Sequence, residues 1–405
     1  MRSETLLDLN QWIASASLEG MTEGALLQGL AERLTAAGLP LWRVSAASDT
    51  LHPVLGGRGF TWHSAKESVH EGSYVRSDLK ASEEVWLRSP FHYLLERNEK
   101  RLRRRCGERR NEPADFPILE ELSAQGCTDY VAYATQLGQN AVIGEMDCIY
   151  SSWATDRADG FTDDDIAMLD RLIPVLAASL RSISLGRILE TLVDTYLGRD
   201  AGQRVLRGSI GRGVAEKIKA VLWFSDLRGF TGIVDSVEPE LVIPLLNDYA
   251  EAIVTSIHDH GGQVLKFIGD GVFAFFPVDG DIPAACRRSL DAAKAMRERV
   301  DALNLRRTAE GQPVSDAYLA LHVGAVFYGN VGGVDRLDFT VVGPAVNEAS
   351  RISAMCRSLE QNVILSSSFA KLAGESRDQL VSLGRYALRG VARPQELFTI
   401  DPERG

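Results

Sequence analysis

Asp226 and Asp270 each close a run of apolar residues, and each is followed within three residues by glycine. Asp226 stands in AVLWFSDLRGFT, where a strand-like run gives way to a turn and a helix start. Asp270 stands in VLKFIGDGVFAFF, at the expected tip of a tight hairpin. Hard carboxylate oxygens at strand ends, beside backbone that can expose N–H groups, suit a divalent ion and the phosphates of a nucleotide. A helix beginning at Phe230 and Thr231 would offer unpaired N–H groups to the terminal phosphates. Lys266 lies four residues before Asp270, roughly 13 Å away on an extended strand. An ammonium and a carboxylate so spaced could meet opposite ends of one nucleotide, or two sites across a dimer axis. In GPAVNEASRI, Pro344 suits the first turn of a helix. Asn347 and Arg351 are then i and i+4, on one face, while Val346, Ala349 and Ile352 can face a core. An amide and a guanidinium together suit a phosphate that gains charge during reaction. Each piece alone also has a plainer reading. A strand-end aspartate before glycine can be a turn former, Lys266 an edge-strand lysine, and Asn347 with Arg351 a surface pair capping a loop.

The elements that must position these residues can be read in outline. The first forty residues form two helices, the second stopped by Gly38 and Pro40. LWRVSAAS reads as a strand, Val54 to Gly57 as a turn, Glu83 to Leu87 as helix and CIYSSWATDR as a late strand. Thr162 caps the next helix, and Asp163 to Asp165 complement its positive end. Ile166, Leu169, Ile173, Leu176, Leu180 and Ile183 form one apolar stripe along it. Leu185, Leu189, Leu192 and Tyr196 continue it out of phase. That pattern suits a helix pairing with its copy in a dimer, or a single long helix packed on its own domain. Gly198 to Gly213 reads as a junction. Beyond it come a strand to Asp226, a helix from Pro239 to Asp259, the Asp270 hairpin and a helix from Ile282 to Leu305. A strand and turn in AYLALHVGAVFYGNVGG, a strand in DFTVVG, a helix from Pro344 to Arg357, and strands in NVILSS and ELFTI follow. The expected fold is α+β, a βαββαβ core with helices on one face. The domain boundaries read as residues 1–160, a helical linker over 161–213, and a second domain over 214–405.

Bulk composition narrows the function. The chain has 405 residues, 45% hydrophobic and 24% charged, with a formal charge of -11. That balance is globular and argues against a nucleic-acid partner, whose affinity rests on phosphate neutralisation. No unbroken apolar run reaches membrane-spanning length, and MRSETLLDLNQW lacks a signal peptide's apolar core. The five cysteines include no C-x-x-C pair. The expectation is a cytoplasmic protein with reduced thiols and neither a disulfide nor a zinc framework. The basic run from Lys100 to Arg110 reads as a solvated helix face or loop.

Taken together, F-S-D-L-R-G-F-T, K-F-I-G-D-G and D-F-T-V-V-G-P-A-V-N-E-A-S-R resemble the class III nucleotidyl cyclases, the adenylate and guanylate cyclase family. The resemblance covers about half the chain, from near Glu216 to Ile400, and implies a ferredoxin-like catalytic domain. It implies that Asp226 and Asp270 hold two Mg²⁺ or Mn²⁺ ions per active site, that Asn347 orients the ribose and that Arg351 stabilises the transition state. It assigns Lys266 and Thr340 to base selection. Lysine at that position is the adenylate-cyclase pattern, where guanylate cyclases carry glutamate. Lysine can donate to adenine N1, where guanine presents a donor of its own. Threonine at position 340 resembles a bacterial subgroup that includes bicarbonate-responsive cyclases. Arg389 in LRGVARPQELF is the match for a phosphate-contacting basic residue, and Phe230 and Thr231 fall to substrate binding. The family builds each site between two domains, so this chain is expected to be a homodimer acting on ATP.

The first half more faintly resembles a GAF sensor domain, on SSWATDRADGFTDDDIAMLDRLIPVLA. It implies an α/β sensor answering to a small-molecule or protein effector. Trp42, Trp62, Trp86, Phe91 and Tyr93 are there as core or as pocket lining. The expected activity is conversion of ATP to 3′,5′-cyclic AMP and pyrophosphate. Its rivals are a cyclase for GTP or a pyrimidine nucleotide, and a catalytically silent nucleotide-binding module.

Overall fold

Alternating apolar residues with β-branched and aromatic side chains recur in two blocks, and each block builds its own sheet. The structure is a computed structural model and describes residues 2–66, 68–76, 79–106, 116–389, 391 and 393–401. It divides into two compact units, Met1–Leu192 and Val193–Gly405.

The first unit opens with helices α1 (Arg2–Leu18) and α2 (Glu23–Ala36). Strands β1 (Arg43–Asp49), β2 (Leu55–His63) and β3 (His70–Val75) follow, then α3 (Leu79–Leu87) and α4 (Pro90–Glu96). Next come β4 (Arg101–Arg105), α5 (Pro117–Ala124), β5 (Asp129–Gln136) and β6 (Cys148–Thr155). The strands form one sheet in the order β3-β2-β1-β6-β5-β4. Val54 to Gly57 is not the expected turn, since Leu55 to Gly57 already lie in β2. The glycines there serve close approach, because a Cβ on Gly56 would meet the Tyr74 ring at 2.4 Å. The basic run forms an edge strand over Arg101–Arg105 instead of a solvated helix or loop. Arg101 pairs with Asp170 and Arg103 with fully buried Asp129, while residues 107–110 lie outside the described residues.

Helix α6 (Asp163–Leu197) leaves this unit as one continuous element. Thr162 caps it as expected, its Oγ1 accepting from Asp165 N at 3.2 Å. The stripe from Ile166 to Leu180 is buried in the core beneath α1 and α2, so the packed-on-its-own-domain reading holds for that half. Farther along, Leu189 and Tyr196 are exposed. By length and apolarity α6 could cross a bilayer, which a search for unbroken apolar runs passes over. Its buried stripe is the ordinary face of a core helix.

The second unit begins with α7 (Arg199–Leu206), a helix unforeseen in the glycine-rich junction. Its core is β7 (Ala215–Leu227), α8 (Phe230–Val234), α9 (Pro239–Asp259), β8 (Gln263–Ile268), β9 (Gly271–Pro277), α10 (Ile282–Ala309) and β10 (Ala317–Gly332). Then come β11 (Leu337–Val342), α11 (Pro344–Leu359), β12 (Val363–Ser366), α12 (Ser367–Leu372), β13 (Leu380–Tyr386) and β14 (Gln395–Ile400). The core strands lie in the order β10-β7-β9-β8, all antiparallel, as a βαββαβ unit requires. The expectation of helices on one face is corrected. Val221 and Trp223 of β7 pack under α9 and α10, whereas Ala220 and Leu222 face Ala345 and Ala349 of α11. A central strand apolar on both faces must be covered on both.

Candidate active site

The site grows from the end of β7. Trp223 Nε1 donates to Ser225 Oγ at 3.0 Å, which fixes the strand end, and Asp226 comes next, paired in register with Tyr318. The β8–β9 hairpin closes through a two-residue loop, Gly269–Asp270, between paired Ile268 and Gly271. Gly269 has φ +63°, which fits the glycine-first turn whose twist matches a hairpin. Gly271 is required by contact, since a Cβ there would stand 2.5 Å from the Ser225 carbonyl oxygen. The hairpin tip is thereby pressed onto the end of β7. Asp270 Oδ2 accepts from Leu227 N at 3.1 Å.

Two carboxylates are thus crowded together. Asp226 Oδ1 is buried and has no hydrogen-bond partner. Burial, and then the charge of Asp270, push the Asp226 carboxyl up to about 6, against a smaller opposing pull from Arg357. A buried anion with an orphaned oxygen beside a second anion is an arrangement that a divalent cation relieves. The residues therefore fit a Mg²⁺ or Mn²⁺ ion. Among the described residues no three carboxylate, histidine or cysteine side chains gather to form a closed cage. An ion held by two carboxylates would complete its shell with water and phosphate oxygens, as Mg²⁺ commonly does.

Helix α11 starts with Pro344 at its first turn and lies along β10. Ala345 sits over Gly324, where any Cβ would come within 2.3 Å of it. Farther on, Cys356 Sγ donates to Leu319 O at 3.6 Å. Leu319 is paired with Ser225, so the last turn of α11 is the part that reaches the carboxylates. Ala349 and Ile352 are fully buried, as the spacing predicts, and Val346 is half-buried. Asn347 is exposed and Arg351 half-buried on the opposite face. Asn347 lies ten residues before Arg357, about 15 Å along the helix axis.

Lys266 lies on β8, the edge strand, and its Nζ pairs with Asp338 on β11. This contact exists because the β10–β11 arm bends back over the sheet. Phe339 meets Tyr328 edge-on at 4.8 Å, and Tyr328 in turn meets Phe275 of β9 at 5.1 Å. Thr340, 7% exposed, stands two residues after Asp338 on the same strand face. Asp338 was missed by the sequence reading. Its signal was an acid two residues before Thr340 on an alternating strand. A cavity of ≈ 670 Å³ beside the pair is lined by Lys266, Phe267, Asp338 and Phe339, with neither Asp226 nor Asp270.

The ring of Phe230 packs against the core under α9, and Thr231 is exposed on α8. Arg389 stands exposed in the turn after β13. The chain therefore gathers three groups: Asp226 with Asp270, Lys266 with Asp338 near Thr340, and Asn347 with Arg351. It does not bring the carboxylates to Asn347.

A family model, Adenylate and Guanylate cyclase catalytic domain, matches residues 214–401. Over these residues the chain is similar to the catalytic domains of adenylate and guanylate cyclases. The adenylate cyclase of Anabaena cylindrica is 30% identical over 219 residues, 51% of this chain and 42% of that protein. Adenylate cyclase 1 of Rhizobium meliloti is 32% identical over 163 residues, 39% of this chain and 24% of that protein. The chain thus spans less than half the length of these curated relatives. Among solved structures, the adenylyl cyclase CyaB from P. aeruginosa is 26% identical, with a TM-score of 0.43, over 46% of this chain and 95% of that one. The matched residues lie within the second of the two compact units.

Proposed function

We propose that the chain is an adenylate cyclase, forming 3′,5′-cyclic AMP and pyrophosphate from ATP at two equivalent sites shared between two copies. The observation that carries this reading is the lie of α11. Its last turn meets the carboxylates, while Asn347 is held about 15 Å back along the same helix. In this reading a two-fold pair closes these groups on one nucleotide, one copy lending the carboxylates and the other Asn347 and Arg351. Exposed Phe267, Ile268, Phe327 and Val342, around the hairpin and arm, support a second copy as the cover.

In this reading Lys266, held by Asp338, donates to adenine N1, and the Thr340 hydroxyl accepts from the adenine amino group. Asn347 holds the ribose so that its 3′-hydroxyl faces the α-phosphorus. The 3′-oxygen forms the new P–O bond and the bond to the β-phosphate oxygen breaks. The hydroxyl proton leaves to solvent and pyrophosphate carries away the electron pair. Arg351 donates to the α-phosphate oxygens as charge builds on them. Asp226 and Asp270 would hold divalent cations, which supply Lewis-acid polarisation of the phosphates and of the attacking hydroxyl. Thr231 and Arg389 are placed toward the phosphates in the same proposal, and Phe230 anchors the loop after Asp226. The first unit acts as a GAF-like sensor, in a cytoplasmic protein.

The test is complementation. Asp270→Asn chains and Arg351→Ala chains, each inactive alone, are co-expressed and the mixed dimer purified with two tags. In the mixed dimer both defects can fall in one site and leave the other whole, so activity returns. Proven heterodimers without activity would show that each chain builds its site alone. Turnover of ATP, GTP, CTP and UTP side by side then decides the base.

A further inference from the structure

The sheet of the first unit has two unlike faces. Val44 and Ala46 enter the core beneath α1, α2 and α6. Arg43, Ser45 and Ala47 alternate with them and so face the other way. Beside them, in register, stand Gly59 of β2 and Ser152 of β6. Four of these five residues are too small to fill the space beneath α3 and α4. A cavity of ≈ 400 Å³ remains, a size suited to a small molecule. Phe91 and Pro90 of α4, Val85 of α3 and Ile118 of α5 give it an apolar wall, and Tyr130 closes one side.

Arg43 is the cation on its floor. It makes no hydrogen bond or ion pair with a described residue; Tyr130, and then Glu121, act on it at longer range. Burial makes its charge costly, lowering its pKa from the ordinary arginine value. Glu84 and Arg88, of opposite charge, also line it, and both are exposed to solvent. A partly desolvated guanidinium without a partner among the described residues, in a cavity with apolar walls, calls for an anion. One positive charge matches one negative charge. A phosphate would leave its second charge unpaired in the same desolvated space.

We propose that this cavity binds a small organic carboxylate with a short apolar or aromatic body, its head on Arg43 and its body against Phe91 and Ile118. The inference deepens the reading above by naming the chemistry of the effector, and it rests on that reading only in calling the ligand an effector.

The full chain is titrated calorimetrically, without nucleotide, with hexanoate and 4-phenylbutyrate, with the matching alcohols, and with inorganic phosphate. A carboxylate binds saturably, and the alcohols and phosphate bind more weakly by on the order of tenfold or more, the worth of a charge-assisted hydrogen bond. Arg43→Gln loses a similar factor. Ala47→Leu fills the floor with Arg43 intact and also abolishes binding. Melting curves check that each variant is folded, and if Arg43→Gln unfolds the unit, Ala47→Leu decides. The proposal is overturned if neither acid binds at millimolar concentration, if the alcohols or phosphate bind as well, or if a folded variant keeps wild-type affinity. Because binding is read without turnover, its failure is distinct from a failure of the cyclase reading.

Discussion

Replacing Asp226 by asparagine tests whether the carboxylate pair is a cation site or an ordinary turn. The two side chains have the same shape, so the change removes charge and little else. A carboxyl raised from 3.8 to about 6 by burial and by Asp270 costs about 3 kcal/mol to ionise at neutral pH. The group is not fully enclosed, so solvent screening reduces this to about 1 kcal/mol. The sign comes from proton linkage. Below the unfolded value near 4 the carboxyl is protonated in both states and imposes no penalty. As pH rises through about 6 the folded state alone gives up a proton late, and stability falls. Without divalent ions, Asp226→Asn is therefore expected to melt about 2–4 °C above wild type at pH 7.5 and level with it near pH 4. Adding Mg²⁺ or Mn²⁺ stabilises wild type at pH 7.5 and leaves the variant unmoved, and the variant keeps less than about a tenth of the turnover. Differential scanning calorimetry in EDTA and in each metal, at both pH values, reads all of this. A variant that melts below wild type in EDTA at pH 7.5 would sink the burial argument. One that still responds to metal would remove Asp226 from the ion site.

Three further outcomes are set by the geometry. Arg351→Ala is expected to lower kcat by about a hundredfold with a smaller change in KM, as for one lost transition-state donor; a raised KM at constant kcat would make it a ground-state binder. Gly271→Ala drives a Cβ to 2.5 Å from the Ser225 carbonyl and pushes Asp270 off Leu227. Activity at saturating metal is expected to fall at least tenfold, within the roughly hundredfold cost of a 1 Å misplacement, and unchanged activity at saturating metal would refute it. Ser184 and Arg187 of α6 both bind Glu23, so an insertion testing the helix as a control element belongs after Leu189. One inserted residue rotates the downstream end of the helix by about 100° and is expected to disturb activity strongly. Seven residues nearly restore the phase and preserve activity, and equal activity in wild type and both insertions would make the helix a passive tether.

Local chemistry carried much of this in the linear chain. Thr162 followed by three aspartates marks a helix start because the cap and the dipole act within one turn. Gly269–Asp270 between apolar runs marks a hairpin because glycine alone enters that turn without strain. Pro344 opens α11 because its missing N–H costs nothing there. These are short-range effects, and they located the start of α6 and the ends of the elements that hold Asp270 and Asn347. Other features depend on partners far along the chain. That Lys266 is held by Asp338 depends on an arm folding back over the sheet. That Asp226 keeps an unpaired oxygen depends on the hairpin tip seating against β7, beneath the last turn of α11. Which faces of β7 are covered, and that small residues on β1 and β6 leave a cavity around Arg43, depend on how whole layers pack. Sequence spacing tells which residues share a face. Only the registered sheet, closed by contacts between distant segments, tells what that face meets, because burial and charge pairing are properties of neighbours in space.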